Sequence, residues 1–223
     1  RLAMASVATQ NKYMNILRIN FSPGSKNGAE YDVAKVNRVV REFGGVDDRI
    51  CNLFRQEKKY GFQRHNESLP LICSSLAVLR ETLESEIVRS SSELIHLHSM
   101  PYHEITRMIL GMGLPVIRTS HEPMLTCPGW SRFLLKDNAP CTKEFGPGCL
   151  VNAYTKCCQQ SRLPWNLYDS YRNVGREIRE FFPQYKRLIV NSNYLAETLL
   201  VHGARLEQVV VAPSPQYALP GGA

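Results

Sequence analysis

Three histidines, His96, His98 and His121, close two short strand-like runs, residues 93–99 (ELIHLHS) and 115–122 (PVIRTSHE), in a chain with six histidines in all. Imidazole can accept or donate a proton near neutral pH, so this residue type orients or deprotonates a hydroxyl or contacts a phosphate. Two apolar runs that end in polar residues, with one helix-length segment between them, describe parallel strands. Open α/β sheets bind ligands at the carboxyl ends of such strands. His121 follows Thr119 and Ser120 and precedes Glu122, and it reads as the group that acts on a substrate. The bland alternative is a loop-capping histidine. His98, with Ser99 and then Pro101 at a strand-to-helix turn, is a second site candidate. His96 reads as a hydrogen-bonded core residue. The two are expected on opposite faces of their strand, one beneath a helix and the other near the cleft.

Other residues carry weaker signals. Residues 22–28 (SPGSKNG) follow a strand and open a helix, where backbone amides can cradle a phosphate. The segment is neither G-x-G-x-x-G nor a P-loop, and a simple strand-to-helix turn explains it equally well. Cys127, Cys141, Cys149, Cys157 and Cys158 crowd one stretch of a chain that has seven cysteines. Zinc sites usually begin with short C-x₂₋₄-C pairs, which this stretch lacks apart from the adjacent Cys157 and Cys158. Free thiols are the simple reading, and a metal or a labile disulfide on Cys127, Cys141, Cys149 and Cys157 is the alternative. Arg172, Arg176 and Arg179 line a helix that either lies on anionic lipid or faces solvent, with Glu177 and Glu180 diluting its charge.

The elements that must position these residues alternate. A strand over 14–21 leads through the 22–28 loop to a helix carrying Val33, Val36, Val40 and Phe43, which stops at Gly44 and Gly45. A weaker strand follows over 49–54, then a polar loop over 56–67. Ile72, Leu76, Leu79, Leu83 and Ile87 mark a long amphipathic helix. After the 93–99 strand a short helix carries Ile105, Met108, Ile109 and Met112, and 116–120 returns to the sheet. Residues 122–165 break the alternation, as a functional or covering excursion would. A helix through Tyr168–Phe182, a strand over 187–191, a helix from Tyr194 to His202 capped by Ser192, and a strand over 208–212 complete the domain. The expected fold is a Rossmann-like parallel sheet with helices on both faces. Residues 1–13 read as a leader, 14–212 as the domain and 213–223 as the start of a linker.

The chain has 223 residues, 43% of them hydrophobic and 21% charged, enough for a sizeable core. No apolar stretch approaches the roughly 18–20 residues that cross a bilayer, and residues 1–13 lack the apolar centre of a secretory signal, so a cytoplasmic location is expected. The net charge of +7 favours anionic partners, but no basic block interleaved with aromatics suggests nucleic acid.

Taken in order, these motifs resemble the N-terminal, acceptor-side domain of GT-B glycosyltransferases, specifically the retaining family 4 type. The first strand with residues 27–30 (NGAE), the 93–98 strand (ELIHLH), residues 119–122 (TSHE), the cysteine-bearing stretch and residues 188–192 (LIVNS) all match loosely across residues 14–215. The resemblance implies transfer of a sugar from a nucleotide-sugar to a hydroxyl acceptor, a sugar, lipid or polysaccharide, with no cofactor or metal required. It places His121 in the catalytic cleft, Gly28 and Asn27 against the donor phosphates, and His98, Ser99 and Glu122 near the acceptor. It also implies a missing C-terminal nucleotide-binding domain and peripheral contact with the inner face of a membrane. Two other functions compete: a non-catalytic binding or regulatory module, and a metal-stabilised interaction domain built on the cysteine stretch.

Overall fold

The computed structural model describes residues 14–21, 46–64, 67–98, 100–158 and 163–213. The helix expected around Val33–Phe43 and the loop holding Asn27 and Gly28 lie outside these residues, as does Ser99. Among the described residues, eight strands form one mixed, mostly parallel sheet in the order β10-β9-β6-β5-β1-β2-β3-β4. They are β1 (Met14–Phe21), β2 (Val46–Gln56), β3 (Lys59–Arg64), β4 (Leu71–Cys73), β5 (Leu94–His98), β6 (Val116–Ser120), β9 (Arg187–Val190) and β10 (Val209–Val211). A second, two-stranded sheet pairs β7 (Phe133–Leu134) with β8 (Ala139–Pro140).

The sheet is not wholly parallel as expected. β3 and β4 add to β2 in antiparallel register. Residues 56–67, read as loop, instead turn at Glu57 and Lys58 into β3, with Gln56 opposite Lys59. Glu57 takes φ 55°, the left-handed region that sequence rules assign to Gly or Asn, so no turn signal was present. The following helix, α1 (Leu76–Ser90), begins four residues later than the apolar spacing suggested. Ser75 caps it, accepting from the Val78 N–H at 3.3 Å, and Ile72 belongs to β4 instead. Buried Glu86 on α1 accepts from Arg64 of β3 at 2.8 Å and from Arg89 at 2.6 Å, which ties the antiparallel edge to the helix.

The remaining helices are α2 (His103–Leu110), α3 (Gly148–Thr155), α4 (Pro164–Arg176) and α5 (Asn193–Val201). One π-turn, Glu177–Phe181, extends α4. None of the described helices is long and apolar enough to cross a membrane. Strand alternation sorts the central sheet into two faces. Leu17, Ile19, Ile95, Leu97, Leu188 and Val190 fall on one, and all are buried in the cluster that also contains Leu79, Leu83, Ile109, Phe181 and Leu199. Each such side chain contributes about 1.5–3 kcal/mol on burial. The other face is mixed: Ile16, Ile50, Leu94, Ile117 and Ile189 share it with a row of polar side chains.

The chain moves from β1 to β2 on one side, whereas β5, β6, β9 and β10 extend the sheet on the other. The direction of winding therefore reverses between β1 and β5. That reversal is the topological switch point at which open α/β sheets take their ligands.

Candidate functional site

The polar side chains of the mixed face gather beside this reversal. Arg18 of β1 pairs in register with His96 of β5, and His98 pairs with Thr119 of β6. Laterally paired residues in a sheet share a face, and residues two apart along a strand also share one. Arg18, Asn20, His96, His98 and Thr119 therefore lie on one face. All five are buried, at 4–8% exposure. The expectation that His96 and His98 point to opposite faces is wrong for the same geometric reason. A spacing of two returns a side chain to its own face, and the two rings lie with centroids 4.0 Å apart.

His96 is the hydrogen-bonded histidine that the sequence suggested. Its Nε2 lies 2.7 Å from Thr119 Oγ1. His98 Nδ1 lies 3.3 Å from His121 Nε2, with the rings stacked at 5.6 Å. His121 is half-buried and stands just past the end of β6. Its carbonyl accepts from Asn191 Nδ2 at 3.3 Å, which anchors the turn after β6 to the end of β9. The His98–His121 pairing thus joins two of the expected site residues. Glu122 is exposed, and it is its carbonyl that accepts the Ser120 hydroxyl.

Burial, followed by the nearby Arg18 charge, holds His96 well below the ordinary histidine value. For His98 the order is burial, His96, then Arg18. Both rings are neutral at neutral pH, so each presents one donor nitrogen and one acceptor nitrogen. Two polar atoms at the strand ends, His98 Nε2 and Asn20 Oδ1, are buried and have no hydrogen-bond partner among the described residues. Buried polar atoms are nearly always paired, so such exceptions call for an explanation. Continuing the β1–β5 register from Ile19 and Leu97 sets Asn20 beside His98 on neighbouring strands, about 4.8 Å apart. Arg18 and Asn20 were missed as site residues. The signal was present in the alternation of residues 16–21 (ILRINF), which reads as a strand with one polar face.

Arg118 serves the opposite face. It pairs in register with Leu97 and Leu188, is 1% exposed and donates from Nη2 to the Met100 carbonyl at 2.8 Å. Its charge counters the burial that raises the Glu177 carboxyl. The Tyr185 hydroxyl donates to that carboxylate at 2.7 Å. This network holds the π-turn to β6. A shallow cavity of about 270 Å³ lined by Phe54, Glu57, Lys59, Tyr60, Gly61 and Ile72 sits at the antiparallel edge, strands away from the histidines.

No family model matches the chain, and no curated protein matches it. Among solved structures, a phosphomethylpyrimidine kinase from Clostridium difficile 630 is similar at a TM-score of 0.35 and 11% identity, over 85% of this chain and 71% of that one. The expected glycosyltransferase membership is therefore corrected. Neither comparison by sequence shows a glycosyltransferase, and the solved structure named above is that of a kinase. The likeness is too distant to lend that kinase's activity to this chain. The motifs misled for a physical reason: apolar strands that end in Thr, Ser or His at a parallel-sheet edge recur wherever such an edge is built.

Proposed function

We propose that this chain is a small-molecule-binding α/β domain. Its ligand presents a hydroxyl to the carboxyl edge of β1, β5 and β6. The observation that carries this reading is that two buried polar atoms on neighbouring strands, His98 Nε2 and Asn20 Oδ1, lack a hydrogen-bond partner at the point where the winding reverses. A hydroxyl is one donor with two acceptor lone pairs. One such group can donate to Asn20 Oδ1 while accepting from His98 Nε2–H. A carboxylate would face the amide oxygen with a second acceptor, whereas a hydroxyl suits either tautomer of His98.

The His98–His121 contact adds a capability. In the other tautomer His98 Nε2 accepts the hydroxyl proton while Nδ1–H donates to His121 Nε2, so the pair can relay a proton away from the ligand. The neutrality of His98 supports this, because an imidazolium has no acceptor nitrogen.

The reading is tested by titrating the chain with polyhydroxylated probes (glycerol, myo-inositol, free hexoses and nucleosides) in saturation-transfer NMR. The expected result is saturable binding of at least one probe that weakens at least tenfold in Asn20→Leu and in His98→Phe, with both variants folded by circular dichroism. Equal binding by wild type and variants, or no binding by any probe class, overturns it.

A further inference from the structure

The cysteines of the excursion between β6 and α4 are free thiols, and among the described residues no three His, Cys, Asp or Glu side chains are placed to hold a metal ion. A second place for a ligand lies instead on the mixed face of the sheet, beside the strand-end site.

Strand register carries that face across the molecule. Thr119 pairs with His98, and the β1–β5 register continued past Ile19 and Leu97 sets His98 beside Asn20. Asn20 pairs in turn with Asn52 of β2, and Asn52 with Gln63 of β3. Laterally paired residues share a face, so one row of five polar side chains crosses β6, β5, β1, β2 and β3. The ends of the row are engaged. Thr119 Oγ1 lies 2.7 Å from His96 Nε2, and Gln63 Nε2 donates to the Glu67 carbonyl at 2.9 Å. The middle is open to a ligand. His98 Nε2 and Asn20 Oδ1 have no hydrogen-bond partner among the described residues. The half-buried Asn52 amide forms no side-chain hydrogen bond there either, although it offers two donors and an acceptor.

Two residues beyond Asn52 on β2, the same face turns apolar. Phe54 pairs with Gly61, and Gly61 with Ile72. A Cβ at Gly61 would lie 2.0 Å from Phe54 Cζ, so the bare glycine is what lets the ring lie across β3. Phe54, Gly61 and Ile72 line the cavity of about 270 Å³, and Glu57, Lys59 and Tyr60 complete its wall at the hairpin. Ile72 is 49% exposed beside it. A cavity of roughly 150 Å³ already accommodates benzene, so this one has room for a ring. With strands about 4.8 Å apart and a rise of about 3.3 Å per residue, Asn20 stands about 8 Å from Phe54 and about 12 Å from Gly61.

We propose that this cavity is a second subsite for the ligand of the strand-end site, and that the ligand is a polyol carrying an aromatic ring. The inference rests on the proposed function, in which a ligand hydroxyl meets His98 and Asn20. A second hydroxyl, one strand further over, bonds the Asn52 amide. The ring then covers Phe54 and Ile72. A longer polyol would find no hydrogen-bonding side chain on Phe54, Gly61 or Ile72 for its further hydroxyls, whereas an aromatic ring loses its hydration there with gain.

The test is NMR titration of the full chain with two matched probe pairs, glycerol against its monophenyl ether and methyl against phenyl glucoside. In at least one pair the phenyl member should bind about tenfold more tightly, as burial of apolar ring surface implies. Asn52→Leu should weaken both members of that pair, and Ile72→Gln should bring the ratio of their affinities towards one. Leu206→Gln, at an exposed position before β10, should leave the ratio as in wild type. Ile72 is half-exposed on an edge strand, so its variant reports even if Asn52→Leu misfolds. Equal affinity within both pairs, a ratio that survives Ile72→Gln, or a folded Asn52→Leu variant that binds like wild type would overturn this inference and leave the strand-end reading in place. Binding of no probe overturns both.

Discussion

His98 Nδ1 and His121 Nε2 stand 3.3 Å apart across the ends of two adjacent parallel strands. One ring is fully enclosed and the other is half-buried. Burial keeps His98 neutral, so the contact is a hydrogen bond between imidazoles and not a repulsion between cations. A proton taken up at His98 Nε2 can be passed on from Nδ1–H to His121 Nε2. This gives the carboxyl edge of the sheet a directional polar group where the winding reverses.

The inner half of this arrangement rests on Thr119. Its hydroxyl is the partner of His96 Nε2 at 2.7 Å, with both side chains buried. Thr119→Val keeps the shape and leaves a buried ring nitrogen unpaired, which costs about 1–3 kcal/mol. Urea unfolding should show a lower midpoint with an unchanged slope, whereas Thr119→Ser should stay close to wild type.

Stability should also fall in mild acid. His103 is held at about 4 against an ordinary 6.5, by burial first and then by Arg118 and Arg176. Its Nε2 lies 3.6 Å from a Glu177 carboxylate oxygen. Between those two values the unfolded chain binds more protons at this site than the folded one. Its contribution is complete above pH 6.5 and is lost as pH falls towards 4, by roughly 3 kcal/mol. His96 and His98 act in the same direction. The raised carboxyl of Glu177 acts oppositely, losing stability as pH rises through its folded value. Denaturant midpoints of wild type and His103→Gln measured across this range should converge as pH falls. Parallel curves would contradict the assignment.

At the antiparallel edge, Gly61 of β3 faces Phe54 of β2 directly in register. A Cβ at Gly61 would come within 2.0 Å of the Phe54 ring. Gly61→Ala forces that 6%-exposed ring to move and should cost about 1–3 kcal/mol. Phe54→Leu combined with Gly61→Ala should recover part of the loss, which thermal unfolding of the single and double variants would show.

Much of the architecture was legible because parallel strands and amphipathic helices leave periodic marks. The first strand, the two histidine strands, and the helices carrying Leu79–Leu83 and Leu195–Leu199 all fall where apolar spacing placed them. What failed had local physical causes. The β2–β3 hairpin turns on a glutamate at positive φ, and Ile72 keeps helical spacing to Leu76 although Ser75 starts the helix. The site was half legible. The residue types at His98 and His121 announced chemistry, but the same-face geometry of His96 and His98 was misjudged. The contribution of Asn20 emerged only when β1 and β5 were laid side by side.

His98 is proposed as a neutral, buried ring whose Nε2 meets a ligand hydroxyl. Long-range ¹H–¹⁵N NMR of the imidazoles, recorded below the ordinary histidine value of 6.5 with and without the best-binding polyol, tests it most directly. His96 and His98 should keep the nitrogen shifts of neutral tautomers in acid. The polyol should move the His98 and His121 resonances together while His202, engaged with Thr198 and Phe145, stays in place. Protonation of His98 near 6.5, or a polyol that binds without moving either resonance, would contradict it.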